Sequence, residues 1–234
     1  GRRWLLAAAA TAISAAVAWW ILGRPAIDTS ASSQQTPSVD SIAVLAFADM
    51  SVGRDHEHFA DGMAEEILNL LTRIPNLQVI ARTSSFSFKG SHADVIAIGK
   101  ALDAGYVLEG SVRSSGGRVR VTAQLVDART GVHVWSEAYD RNLDDLLEVQ
   151  SSIAESVARS LEITLAEGSL ASGTRAVNPE AYEHVLHGRY LHNRRSLGDL
   201  AAAEQHFRQA VALDEHYAAA WAGLAGTVLV RIFN

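Results

Sequence analysis

Apolar positions along this chain follow first a buried-strand and helix rhythm, then a two-residue rhythm, then a helical one again. Ser41-Ile42-Ala43-Val44-Leu45-Ala46-Phe47 is a short apolar run bounded by polar residues, the pattern of a buried strand. Phe59, Met63, Ile67, Leu70, Leu71 and Ile74 then recur at helical spacing, and Pro75-Asn76 stops that helix. Leu77 to Ala81 predicts a second strand. Ser91, with Asp94 three residues on, predicts a capping box before the apolar positions Val95, Ile98 and Leu102, and Gly105 closes that helix. The period then drops to two. Tyr106 to Val112 runs into a Ser114-Ser115-Gly116-Gly117 turn, and Val119, Val121, Ala123 and Leu125 alternate with Arg118, Arg120, Thr122 and Gln124. Asp127 to Gly131 turns the chain into a fifth strand, His133 to Tyr139. Leu146, Leu147, Ile153, Val157, Leu161 and Leu165 mark a long amphipathic helix from Leu143 that covers the sheet. The expected class is α/β, a mixed five-stranded sheet with covering helices in the order β-α-β-α-β-β-β-α.

Gly168 to Thr174 breaks the last helix, and the remainder of the chain is helical and partly repeated. Ala203, Phe207 and Ala210, then Trp221, Leu224 and Ala225, fall at the spacings of a tetratricopeptide helical hairpin, with Gly188 as the small residue of a first helix. Gly188 and Ala225 stand 37 residues apart, longer than the usual period of about 34, which places an insertion near Arg194 to Gly198. Small residues at these positions let paired helices approach closely. An ordinary helical hairpin is the alternative.

At the other end, Trp4 to Leu22 is 19 residues without a charge, roughly 28 Å as a helix and close to the thickness of a bilayer core. Trp4, Trp19 and Trp20 lie at its ends and Arg2 and Arg3 precede it, which predicts a single membrane crossing with the N-terminal side in the cytoplasm. Ala16-Val17-Ala18 also fits a signal-peptidase site, and Arg2-Arg3-Trp4-Leu5-Leu6 a twin-arginine signal; all of these export the residues beyond the segment. Ser-, Thr-, Gln- and Pro-rich residues 25–40 read as a flexible linker. The expected organisation is an anchor over 1–24, linker over 25–40, α/β domain over 41–167, linker over 168–177 and repeats over 178–234. Gly1 in place of Met, and an end inside an apolar helical pattern, suggest a piece of a longer protein.

Composition narrows the function classes. The 234 residues are 48% apolar, a globular value, with 20 Lys and Arg against 26 Asp and Glu. The acidic balance argues against a nucleic-acid surface. The absence of cysteine excludes disulfides, zinc thiolates and a cysteine nucleophile. No Walker A run, dinucleotide glycine fingerprint or ordered Ser-His-Asp set is present, so no catalytic residue, cofactor or metal site is assigned. Asp55-His56-Glu57-His58 and the helix-face set Glu180, His184 and His187 carry metal-ligand residue types, but a solvated loop and a solvated helix face are the simpler readings. Arg82, Thr83, Ser84 and Ser85 leave the second strand at its C-terminal end, where open α/β sheets bind ligands, and fit an anion or a peptide carboxylate; the plainer alternative is a turn with Phe86 and Phe88 packed inside. Trp135 and Tyr139 share a strand face with His133 and read as core or interface aromatics.

The stretches SIAVLAF, HFADGMAEEILNLLTRIPNLQVIARTSSFSFKG, YVLEGSVRSSGGRVRVTAQLVDARTGVHVWSEAYDRNLDDLLEVQ and NPEAYEHVLHGRYLHNRR cover most of residues 41–195. Together they resemble the TolB amino-terminal-like domain, related to flagellar FlgO proteins, as found with tetratricopeptide repeats in bacterial membrane-bound signalling proteins. The sequence departs at Ala46, where that family usually has Pro. The resemblance implies a receptor in the bacterial inner membrane, with a periplasmic sensor or scaffold that binds a protein or peptide through its repeats; the flexible linker over 25–40 fits a homodimer. It also implies a cytoplasmic output before the membrane segment, either a class III adenylate or guanylate cyclase or a winged-helix regulator. The rival reading is an exported envelope scaffold without cytoplasmic output.

Overall fold

The computed structural model describes residues 38–115, 118–142, 145–161, 163 and 177–233. The expected anchor and first linker, residues 1–24 and most of 25–40, lie outside the described residues, as does nearly all of the second linker, 168–177.

The strands are β1 (Ser38–Val44), β2 (Ala48–Asp49), β3 (Gln78–Val79), β4 (Ala104–Ser115), β5 (Arg118–Asp127) and β6 (Val132–Asn142). The helices are α1 (Glu57–Leu71), α2 (Arg82–Phe86), α3 (Val95–Leu102), α4 (Leu146–Ser160), α5 (Pro179–Arg194), α6 (Leu197–Leu213) and α7 (Ala218–Phe233). The class is mixed α/β. The sheet runs β3-β1-β4-β5-β6, parallel across β3, β1 and β4 and antiparallel from β4 to β6.

It has six strands where five were expected, because β2 prolongs the line of β1 along β4, pairing Ala48 with Ser111 and Asp49 with Val112. The break between β1 and β2 turns Phe47 inward, where its ring lies over Gly110 of β4. A Cβ on Gly110 would stand 2.7 Å from that ring and 2.5 Å from the carbonyl oxygen of Thr122 on β5. Glycine is what lets ring and strand pass. Ser41 pins the other end of β1: its hydroxyl donates to the carbonyl of Asp103 and accepts from the Gly105 amide at 2.9 Å.

Alternation along β1 and β4 sorts two buried layers. Ile42, Val44, Leu108 and Val112 join Val121, Ala123 and Leu125 of β5 beneath α1 and α4. Ala43 and Val107 pack on the opposite face against Ile98 of α3 and Ala128. Asp94, not Ser91, caps α3, accepting from the Ala97 amide at 2.7 Å; Ser91 accepts from Ala93 one turn earlier. The helix ends at Asp103 in the left-handed region (φ 53°), and Gly105 already belongs to β4. A register shift in β5–β6 places Trp135 opposite Leu125 but His133 opposite Val126. Those two side chains therefore project from opposite faces, contrary to the expected shared face. Trp135 packs on the core and His133 is exposed.

Two of the last three helices carry side-chain caps. Asn178 accepts from the amides of Glu180 and Ala181 with Pro179 in the first turn of α5, and Ser196 accepts from Asp199 at the start of α6. α5 packs on α1 as well as α6, so Tyr182 and Leu186 belong to the main core beside the sheet residues.

Gly110→Ala is expected to lower stability by about 1–3 kcal/mol, because a methyl group there meets backbone as well as the Phe47 ring. Gly198→Ala, with nothing within 4 Å of the new methyl, is expected to be neutral or slightly stabilising. Urea unfolding of the two variants side by side measures both.

Candidate functional site

Helix α1 carries acids at positions 57, 61 and 65, a spacing of four that lines them along one face, with Glu66 beside them. Every one of these acids is matched by a partner from another element. Lys89, in the loop after α2, places its ammonium 2.7 Å from both oxygens of Asp61 and 2.5 Å from Glu57. Arg82, the first residue of α2, stands 2.6 Å from Glu65 and lays its guanidinium 4.2 Å over the Phe86 ring. From α5, Arg189 pairs with Glu66, the Tyr190 hydroxyl donates to Glu57 at 3.1 Å, and Asn193 reaches Glu65 at 3.4 Å. Glu57 is held below the ordinary carboxylate range chiefly by its bond to Lys89, against the opposing push of burial. Burial pulls the Lys89 ammonium down, but Asp61 and Glu57 outweigh it and leave its pKa above the ordinary value.

Arg82, Thr83, Ser84 and Ser85 form a short helix in place of a loop. The Arg82 charge is already engaged by Glu65, and Thr83 and Ser84 face solvent. Ser85 is fully buried with its hydroxyl unpartnered. The four residues therefore do not converge on a common point. A cleft of about 330 Å³ lies instead past the end of β1, between Ala46, Phe88, Ser91, Glu109 and Gln124, with Lys89 on its rim. Hydroxyl, carboxylate and carboxamide groups suit it to a small polar ligand. This is the open-sheet position the strand order favours, reached by the loop after α2 and not by α2 itself.

Among the repeat-packing residues, Gly188, Ala203, Phe207 and Ala210 converge. Phe207 is 1% exposed, and a Cβ on Gly188 would lie 2.9 Å from its ring. The residue of α7 that meets that ring is Gly223, where an added Cβ would fall 2.2 Å away. Leu224 packs partly against this cluster, Ala225 is exposed, and Trp221 is half exposed with its indole N–H donating to the Glu215 carbonyl at 2.8 Å. Gly223 is missed by the repeat spacing, which singles out Ala225 two residues on. The acid stripe of α1 was also missed, although the 57–61–65 spacing carries the signal.

No family model matches the chain. It is similar to a protein of Rhizobium meliloti (strain 1021) named "Putative adenylate cyclase 3", 36% identical over 202 residues. The match covers 86% of this chain and 34% of that protein, so the chain spans about a third of the length of the curated relative. Among solved structures it is similar to TolB from Acinetobacter baumannii, 14% identical, covering 53% of this chain and 28% of that one at a TM-score of 0.40. It is also similar to lipoprotein GNA1162 from Neisseria meningitidis, 22% identical, covering 52% and 99% at 0.39. PelC from Paraburkholderia phytofirmans is 25% identical, covering 54% and 89% at 0.38. Among the described residues no helix is long and apolar enough to cross a membrane; residues 4–22 are not among them.

Phe207→Ala is expected to cost about 3–5 kcal/mol, since it empties the space that Gly188 and Gly223 vacate. Trp221→Ala, at a half-exposed position, is expected to cost about 1 kcal/mol or less. Thermal unfolding of both variants measures the contrast.

Proposed function

We propose that this chain is the non-catalytic sensing and protein-interaction portion of a membrane signalling protein whose output is a class III nucleotide cyclase. The observation that carries this reading is the 36% identity over 202 residues to the Rhizobium meliloti protein named as an adenylate cyclase, a match confined to about a third of that protein. The α/β part keeps its TolB-like assignment, and α5–α7 are assigned to tetratricopeptide-type packing that docks a protein or peptide. Residues 4–22 are assigned to the bacterial inner membrane and the described residues to the periplasm. A cyclase output has direct support from the named relative, which a winged-helix output lacks.

Physically, the residues have what an input module needs. The helical part is keyed to the α/β part through the Arg189–Glu66 ion pair, two side-chain hydrogen bonds and one close helix contact, so a partner bound to either changes the strain on the other. The test is to compare cyclic-nucleotide formation by the full gene product with that of a version lacking residues 38–234, in membranes. The expected result is measurable cyclase activity that changes by about fivefold or more on deletion, the size of a typical coupling between sites. Activity identical with and without these residues contradicts the sensor role. No cyclase activity in the intact protein contradicts the output assignment and favours an envelope scaffold.

A further inference from the structure

Two histidine pairs that are far apart in sequence meet in the fold with a third element. His58, in the first turn of α1, stacks on His187 of α5 with ring centres 4.3 Å apart and planes 17° from parallel. His187 stacks on its other side against His206 of α6 at 4.1 Å and 24°. His206 in turn sets its Nδ1 2.9 Å from Nδ1 of His184. His56 stands at the end of the row, 6.2 Å from His58. Among the described residues no group of three or more His, Cys, Asp or Glu is arranged to hold a metal ion, and stacked rings do not aim their nitrogens at one point.

We propose that His58, His187, His206 and His184 form a proton-operated joint, in which acidification separates α5 from the start of α1 while the ion-paired side of the same helix crossing stays docked. The geometry opposes charging the rings together. A nitrogen–nitrogen contact of 2.9 Å needs one donor and one acceptor, and two imidazolium rings offer only donors. His187 is sandwiched, so a charge on either neighbour is felt by it at about 4 Å. Nε2 of His58 is buried without a partner, so its protonation would bury a charged N–H with nothing to accept it.

The facing charges do little to offset this. Asp49 faces His58 and favours its charged form, but His187, His56 and His206 oppose it and burial opposes it most, leaving its pKa at about 4. His206 is also brought to about 4, by burial first and then by His187 and His184. Burial lowers His187 as well, against Glu183 on its own helix. Asp55 lies 3.5 Å from His56, outside the stack.

Between about pH 6.5 and 4, therefore, the open joint binds more protons than the closed one. Closure is fully stable above that window and weakens as pH falls through it. Across the crossing, Arg189–Glu66 and Asn193–Glu65 hold the two helices together through groups outside the imidazole row. The pivot between the two sides is Gly62, whose missing side chain admits Leu186 of α5; a Cβ there would lie 2.7 Å from Leu186 Cδ2. The joint works in the same way whichever output the chain serves.

The test is amide hydrogen exchange on the full chain from pH 8 to pH 4.5, corrected for intrinsic rates, with the imidazole proton resonances followed in parallel. Exchange in α5 and in the first turns of α1 is expected to rise by about tenfold for each pH unit and each excluded proton, beginning near pH 6.5, while β4 and β5 stay protected. His187→Phe keeps an aromatic ring between His58 and His206 and removes the central titrating group, so the rise becomes shallower by about tenfold per pH unit, the share of one excluded proton. If circular dichroism at pH 8 shows that His187→Phe does not fold, His206→Gln takes its place with the same expectation. Three results overturn the proposal: imidazoles that titrate near 6.5 without change in α5 exchange, loss of protection in β4 and β5 together with α5, or a folded variant whose profile matches the parent. The parent titration alone decides between the first two results and the expected one.

Discussion

The structure is organised around a helix with no free side. Ten of the fifteen residues of α1 are buried, among them Asp61 and Gly62, because the sheet lies under one face and α4 and α5 close over the others. A helix in that position must be apolar toward the sheet, slim where a second helix crosses it, and matched in charge wherever an acid remains. Phe59, Met63, Ile67 and Leu71 meet the first demand and Gly62 the second. Lys89, Arg82 and Arg189 meet the third. Each of those cations comes from outside α1, so the charge matching also fixes where the α2 loop and α5 sit. Burial makes that matching matter, since an unmatched Asp61 or Glu66 would pay desolvation without return.

Much of the sheet was legible because alternation and strand burial are local signals. Val119, Val121, Ala123 and Leu125 point inward as their spacing predicts, and the parallel β1–β4 core follows from apolar runs separated by helices. What failed to show was whatever depends on a neighbour in space. β2 is two residues long and exists only because β4 is beside it. The bulge that sends His133 and Trp135 to opposite faces is a one-residue slip, invisible to a period-two count. Ser91 and Asp94 both fit a cap on spacing alone, and the helix start decided between them.

The same limit governs the functional residues. Arg82 and the hydroxyls after it looked like a ligand set because strand ends in open sheets often are; the acid stripe of α1 claims the arginine instead. The histidines read as two unrelated pairs, each a plain solvated feature. Only the α1–α5 crossing, and α6 folded back on α5, turn them into one row. Gly188 and Gly223 both pack on the Phe207 ring, and the contact of Gly223 depends on how α7 is rotated.

The central claim is that α5 belongs to the core around α1 and is not an independent appendage. Amide exchange in Leu186→Ala at pH 8 tests it most directly, because Leu186 is fully buried against Gly62. Removing that side chain is expected to lower the opening free energy of α1 amides by about 2–5 kcal/mol, together with those of α5. Loss of protection confined to α5, α6 and α7, with α1 unchanged, would contradict the account.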